Sequence, residues 1–155
     1  MNKAEVCEQI RNIGIIPAIR VSSAEEAHFA ADAVTQGGIP IVEITMTVPD
    51  AVALISHLVR DHEKLIVGAG TVLDTETARK CVDAGAHFLT APGFDTAIVE
   101  FATKGNITVF PGAFTPTEVV AAWKAGSDFV KVFPCALGGP QYIKALKAAL
   151  PQIPL

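Results

Sequence analysis

A chain of 155 residues is one domain's worth, long enough for a substantial core. Half of the residues are hydrophobic, only 18% are charged and the net charge is −4, which leaves no basic footprint for nucleic acid. No apolar run approaches the length of a transmembrane helix, no signal-peptide pattern opens the chain, and Cys7, Cys81 and Cys135 show no CxxC spacing. The expectation is a cytoplasmic protein with free thiols and no membrane partner.

Residues 3–12 have helical spacing, ended by Gly14. Ile15 to Arg20 reads as a strand, weakly paired because of Pro17. Ser22 or Ser23 then caps a helix with Glu25 and Glu26 in its first turn, running to Gln36 and stopped by Gly37-Gly38. The same unit repeats. Strands are expected at Ile41–Thr45, Leu65–Gly68, His87–Thr90, Ile107–Phe110 and Phe129–Phe133. Helices follow them at about 49–62, 75–84, 95–104, 116–125 and 140–150, several stopped by glycine.

Six strand starts, near 15, 41, 65, 87, 107 and 129, lie 20 to 26 residues apart. Strict β-α alternation at that period means parallel strands with crossover helices. Arg20, Glu43, Thr45, Thr71, Pro92, Thr115 and Lys131 all fall at or just beyond a strand's C-terminal end. Polar groups supplied by every unit suit a (β/α)8 TIM barrel, whereas an open sheet would gather them at one switch point. Only about six of the eight βα units are present, with Ile153-Pro154-Leu155 resembling the start of a seventh strand. Nothing marks a boundary inside 1–155, so the expectation is one barrel domain, truncated at its C-terminus.

Two strands carry a single ionisable residue among apolar ones. Phe129-Val-Lys-Val-Phe-Pro carries Lys131, and Ile41-Val-Glu-Ile-Thr carries Glu43. A lysine there is costly to bury as a cation. It either pairs with a carboxylate or snorkels to the strand end, or it is a desolvated nucleophile for a carbonyl. The second reading predicts that Lys131→Met is at least as stable as the parent. Together, a lysine and a carboxylate facing one barrel interior are what Schiff-base chemistry requires, the amine attacking a ketone and the carboxylate moving protons. Gly68-Ala-Gly-Thr71 is either a tight βα turn or a backbone approach to a ligand. Arg20 is either a surface charge or a bidentate anion contact. His28, His57, His62 and His87 have no partner at zinc spacing and read as solvated or packing residues, so no metal is expected.

The runs IVEITMTVPDA (41–51), VGAGTVLD (67–74), FLTAPGF (88–94), VFPGAFTPTE (109–118) and FVKVFPCALGGPQYIKAL (129–146) resemble the 2-keto-3-deoxy-6-phosphogluconate and 4-hydroxy-2-oxoglutarate aldolases. The resemblance covers nearly the whole chain. It implies a class I, metal-independent and cofactor-free aldolase on a (β/α)8 barrel, usually a homotrimer, that releases pyruvate and an aldehyde. It implies Lys131 as the Schiff-base lysine and Glu43 as the general acid/base. Arg20 and Thr71 would hold the pyruvate carboxylate, Pro92 and Phe133 would line the pocket, and Gly138 and Gly139 would lie near the substrate's phosphate. Many members have arginine where this chain has Thr47, which implies that the anion contact is relocated to Arg20. The family also continues past Leu155 with strands 7 and 8. That leaves two other readings open, a non-catalytic aldolase-derived scaffold and a phosphosugar isomerase or epimerase on the same barrel.

Overall fold

The computed structural model describes residues 1–155. In chain order they form α1 (Lys3–Ile13), β1 (Ala18–Ile19), α2 (Ala24–Gln36), β2 (Ile41–Thr45), α3 (Ala51–Asp61), β3 (Ile66–Gly70), α4 (Thr75–Asp83) and β4 (Phe88–Thr90). These are followed by α5 (Thr96–Lys104), β5 (Thr108–Phe110), β6 (Gly112–Ala113), α6 (Pro116–Lys124), β7 (Lys131–Val132), a 3₁₀ turn (Cys135–Leu137) and α7 (Gly139–Ala149). Every expected helix is present within about two residues at each end. Local capping explains that agreement. Asn2 and Glu5 form a capping box on α1, Thr115 and Glu118 form one on α6 with Pro116 in its first turn, and Ser23, Asp74 and Asp95 cap α2, α4 and α5.

The strands are shorter than expected where proline intervenes. β1 begins only after Pro17, although the Pro17 carbonyl still accepts from the Glu43 N–H at 2.9 Å. Pro111 divides one strand path into β5, which pairs with β4, and β6, which pairs with β7. Around the last of the six strands, only Lys131 and Val132 are in a ladder. Val130 donates instead to the carbonyl of Pro154 at 2.8 Å, and Ile153 is buried against Val130, Ala113, Val119 and Ala122. The terminal tripeptide thus lies alongside that strand.

All pairings are parallel, and β1-β2-β3-β4-β5 follow one another in sequence order. A doubly wound sheet reverses its order at a switch point, so this succession is that of a barrel wall. Side-chain alternation separates its two faces. Val42, Ile44, Val67, Ala69, Leu89 and Val109 point outward into a cluster completed by α2, α3, α4 and α5. Ile41, Ile66, Phe88 and Phe129 point inward and pack on Val6, Cys7 and Ile10 of α1, which closes the end at the strand starts. The chain therefore folds as a (β/α)8-type barrel, represented here by six strand paths. Buried in these layers, Cys81 has its thiol pushed up to about 11 by desolvation, and burial raises Cys7 as well.

Candidate active site

Inward-facing positions along β2 are 41, 43 and 45, so Glu43 shares the interior face with Ile41 and Thr45. Lys131 follows Phe129 on the same face of the sixth strand path. The structure brings the two together, with Lys131 Nζ 3.7 Å from Glu43 Oε1. The carboxylate side chain is only 6% exposed and the lysine 30% exposed. Lys131 is thus neither dry nor unpartnered. Its ammonium also lies 5.8 Å from the centroid of the Phe133 ring, at the limit of cation–π contact.

The carboxylate is accommodated by an absence of side chain. A Cβ on Gly70 would lie 2.1 Å from Glu43 Oε1, and one on Gly68 would lie 2.1 Å from the Phe88 ring. The Gly-Ala-Gly run is accordingly not the turn itself. It is the end of β3, and its two inward-facing glycines make room for Glu43 and Phe88. The turn comes one residue later at Thr71, whose φ of 60° lies in the left-handed region that a β-branched residue seldom occupies. That turn brings the Thr71 hydroxyl within 3.5 Å of Arg20 Nη2 at the end of β1. Thr45 donates to the Ile19 carbonyl at 3.1 Å, so the 2.7 Å contact between the two hydroxyls has Thr47 as donor. Thr45 therefore ties the end of β2 to the end of β1, and Thr47 donates to the Thr45 hydroxyl that makes the tie.

A cavity of about 340 Å³ opens beside the ion pair, lined by Glu43 and Lys131 together with Ile16, Ala18, Thr90, Phe110, Val130, Val132, Cys135, Ile143 and Leu155. The other expected residues do not line it. Arg20 and Thr71 meet at the strand ends, and Phe133 is 42% exposed just past β7. Pro92 packs its backbone against Gly112, and Gly112 donates to the Gly93 carbonyl at 3.0 Å. Gly138 and Gly139 start α7, where Gly138 lies under Tyr142 and Gly139 takes a φ of 60°. Apart from Glu43 and Lys131, none of the cavity residues was singled out from the sequence as a candidate for the site, Thr90 and Phe110 included. For Thr90 and Phe110 the usable signal was strand alternation, since Thr90 lies two positions from the inward-facing Phe88 and Phe110 two positions from the inward-facing Thr108.

His57 is exposed, as expected, whereas the other three histidines make specific polar contacts. His28 and His62 both contact the Asp32 carboxylate, at 3.2 Å and 3.1 Å, linking α2 to the end of α3. His87 Nδ1 accepts from the Val67 N–H at 3.2 Å, and burial, aided by the N-terminal ammonium, holds this imidazole below its usual range.

A family model described as KDPG and KHG aldolase matches residues 6–155. The chain belongs to that family. It is 36% identical over 139 residues to a probable 2-dehydro-3-deoxy-6-phosphogalactonate aldolase of Rhizobium meliloti, covering 88% of this chain and 65% of the relative. It is 32% identical over 149 residues to a 2-dehydro-3-deoxy-phosphogluconate aldolase of Pseudomonas aeruginosa, covering 96% of this chain and 66% of that one. The chain thus spans a little under two thirds of these relatives' length. Among solved structures, it superposes with a TM-score of 0.82 and 31% identity on the KDPG aldolase of Legionella pneumophila with pyruvate captured as a covalent carbinolamine, covering 89% of this chain and 68% of that one.

Proposed function

We propose that this protein is a class I aldolase that cleaves 2-keto-3-deoxy-6-phosphogluconate, 4-hydroxy-2-oxoglutarate or both to pyruvate and an aldehyde. The observation that carries this reading is the 3.7 Å pair of Lys131 and Glu43 on one cavity. Lys131 bonds the keto carbon and loses water to form an iminium, which withdraws electrons so that the bond between C3 and C4 breaks. Glu43 takes the proton from the C4 hydroxyl and later returns one to C3. Arg20 and Thr71, paired at the strand ends, supply a guanidinium and a hydroxyl for the carboxylate of the keto-acid. The covalent pyruvate adduct of the Legionella relative supports the same chemistry.

In this reading Phe133 and Pro92 flank the bound keto-acid, and the phosphate of a phosphorylated substrate lies toward Gly138 and Gly139. The reaction needs no metal and no cofactor. The protein works in the cytoplasm as a homotrimer, and no helix is long and apolar enough to cross a membrane.

Borohydride added with pyruvate tests the reading. It should leave a reduced adduct on Lys131, found by peptide mass, and Lys131→Ala should abolish it. Glu43→Gln should still form the adduct while slowing cleavage by roughly 10² to 10⁴-fold. A folded protein that forms no adduct would refute the assignment.

A further inference from the structure

Three threonines on the inner face of the sheet differ in how their hydroxyls are satisfied. Thr45 bonds the Ile19 carbonyl, and Thr108 contacts the thiol of Cys7 at 3.4 Å. Thr90 is 2% exposed, yet its Oγ1 has no hydrogen-bond partner. Glu43 Oε1 is likewise buried without one. Both residues line the cavity that holds Lys131. Buried polar atoms are almost always paired, and two orphaned oxygens on residues that line one cavity beside an amine are suited to a shared polar guest.

We propose that Thr90 is a third member of the reaction centre, its hydroxyl and the Glu43 carboxyl together holding the oxygen that the substrate gives up when its keto carbon bonds Lys131. This rests on the aldolase reading above. The proton count shows what the hydroxyl does. Transfer of one proton from the Lys131 ammonium to Glu43 gives a free amine and a carboxylic acid. The amine lone pair forms the N–C bond and the carbonyl π pair moves onto oxygen. One N–H proton then reaches that oxygen through Thr90, which gives its own proton and accepts the other. Finally the C–O bond breaks as Glu43 protonates the hydroxyl, releasing water and leaving an iminium and a carboxylate. A valine of the same shape can neither relay that proton nor hold the oxygen.

The test follows adduct formation with time on the whole chain, by mixing with pyruvate, quenching with borohydride and weighing the protein. Thr90→Val should reach its limiting rate on the order of 10 to 100-fold more slowly, as expected for one lost hydrogen bond to a charged centre. The half-saturating pyruvate concentration should stay within about threefold, because the carboxylate contacts are untouched. Thr90→Ser restores the hydroxyl and should recover most of the rate, which a purely packing role would not predict. The valine variant should melt at or above the parent temperature, since it removes an unpartnered buried hydroxyl. Should it fail to fold, Thr90→Ala carries the same comparison with Thr90→Ser. A parent that traps pyruvate while the valine or alanine variant traps it equally fast would overturn the role of Thr90 and leave the aldolase reading intact. A parent that traps nothing on Lys131 would overturn both.

Discussion

Replacing Lys131 by methionine removes a charge while keeping the length of the side chain, and the structure reverses what the strand alone suggests about the outcome. A desolvated lysine considered by itself would be relieved by the change. Here Glu43 stays behind, 6% exposed, with an Oε1 that has no other partner. At 3.7 Å, two unit charges attract by about 4 to 5 kcal/mol at an effective dielectric constant of about 20. The lysine is 30% open to water, and screening reduces the net loss to about 2 to 3 kcal/mol. A chain of this size loses about 2 to 4 °C per kcal/mol, so Lys131→Met should melt roughly 4 to 12 °C below the parent. Pairing it with Glu43→Met removes the stranded carboxylate and should return the double variant to within about 1 kcal/mol of the parent. Thermal melts of the parent, both single variants and the double variant complete the cycle. A single Lys131→Met as stable as the parent, or a double variant no better than that single, would refute the claim that Glu43 depends on Lys131.

Gly70→Ala places a methyl 2.1 Å from Glu43 Oε1, and the carboxylate has to move. Pyruvate trapping should fall on the order of 100-fold with the far-ultraviolet dichroism unchanged; a variant that traps as fast as the parent would show that the carboxylate's placement is immaterial. Ile153→Ala should cost about 2 to 4 kcal/mol by urea unfolding, because its side chain is 1% exposed among Val130, Val119 and Ala122; a cost near zero would mean that the terminal residues do not dock there. His87 gives a pH dependence whose sign follows from its lowered pKa. Above about pH 6.5 both folded and unfolded states hold a neutral imidazole; as pH falls below that value the unfolded chain takes up a proton that the folded one resists, and stability drops until the folded pKa is passed. His87→Gln, which still offers an acceptor to the Val67 N–H, should lose less stability than the parent between pH 7.5 and 5.5, and parallel curves would contradict this.

The helices were legible because their signals are local. An Asn2–Glu5 box or a Thr115-Pro116 start is written within four residues and needs no tertiary information. Strand lengths were less legible. Whether Phe129 and Val130 join a ladder depends on what lies beside them, and Val130 pairs with the distant Pro154 carbonyl. The two ionisable strand residues stood out because charge among apolar β-branched neighbours is conspicuous. Thr90 did not, since threonine is an ordinary strand former and only the absence of a partner makes its hydroxyl notable. The Asp32 contacts to His28 and His62 were invisible because His62 lies at the end of another helix.

The register explains why the glycines of β3 were misread. Ala18, Glu43, Gly68, Phe88 and Thr108 form one row across five strands, each opposite the next. Glu43 and Phe88 are the large members of that row, and each takes up interior space beside a glycine of the strand between them. Phe88 fills what a side chain at Gly68 would need, and the Glu43 carboxylate reaches over Gly70 toward Lys131. In one dimension Gly-Ala-Gly is an ordinary turn signal. Across the row it is the spatial complement of a carboxylate and a ring on the strands to either side. Gly70 therefore sets how far Glu43 can extend, and with it the 3.7 Å separation on which the chemistry rests, while Gly68 makes room for Phe88.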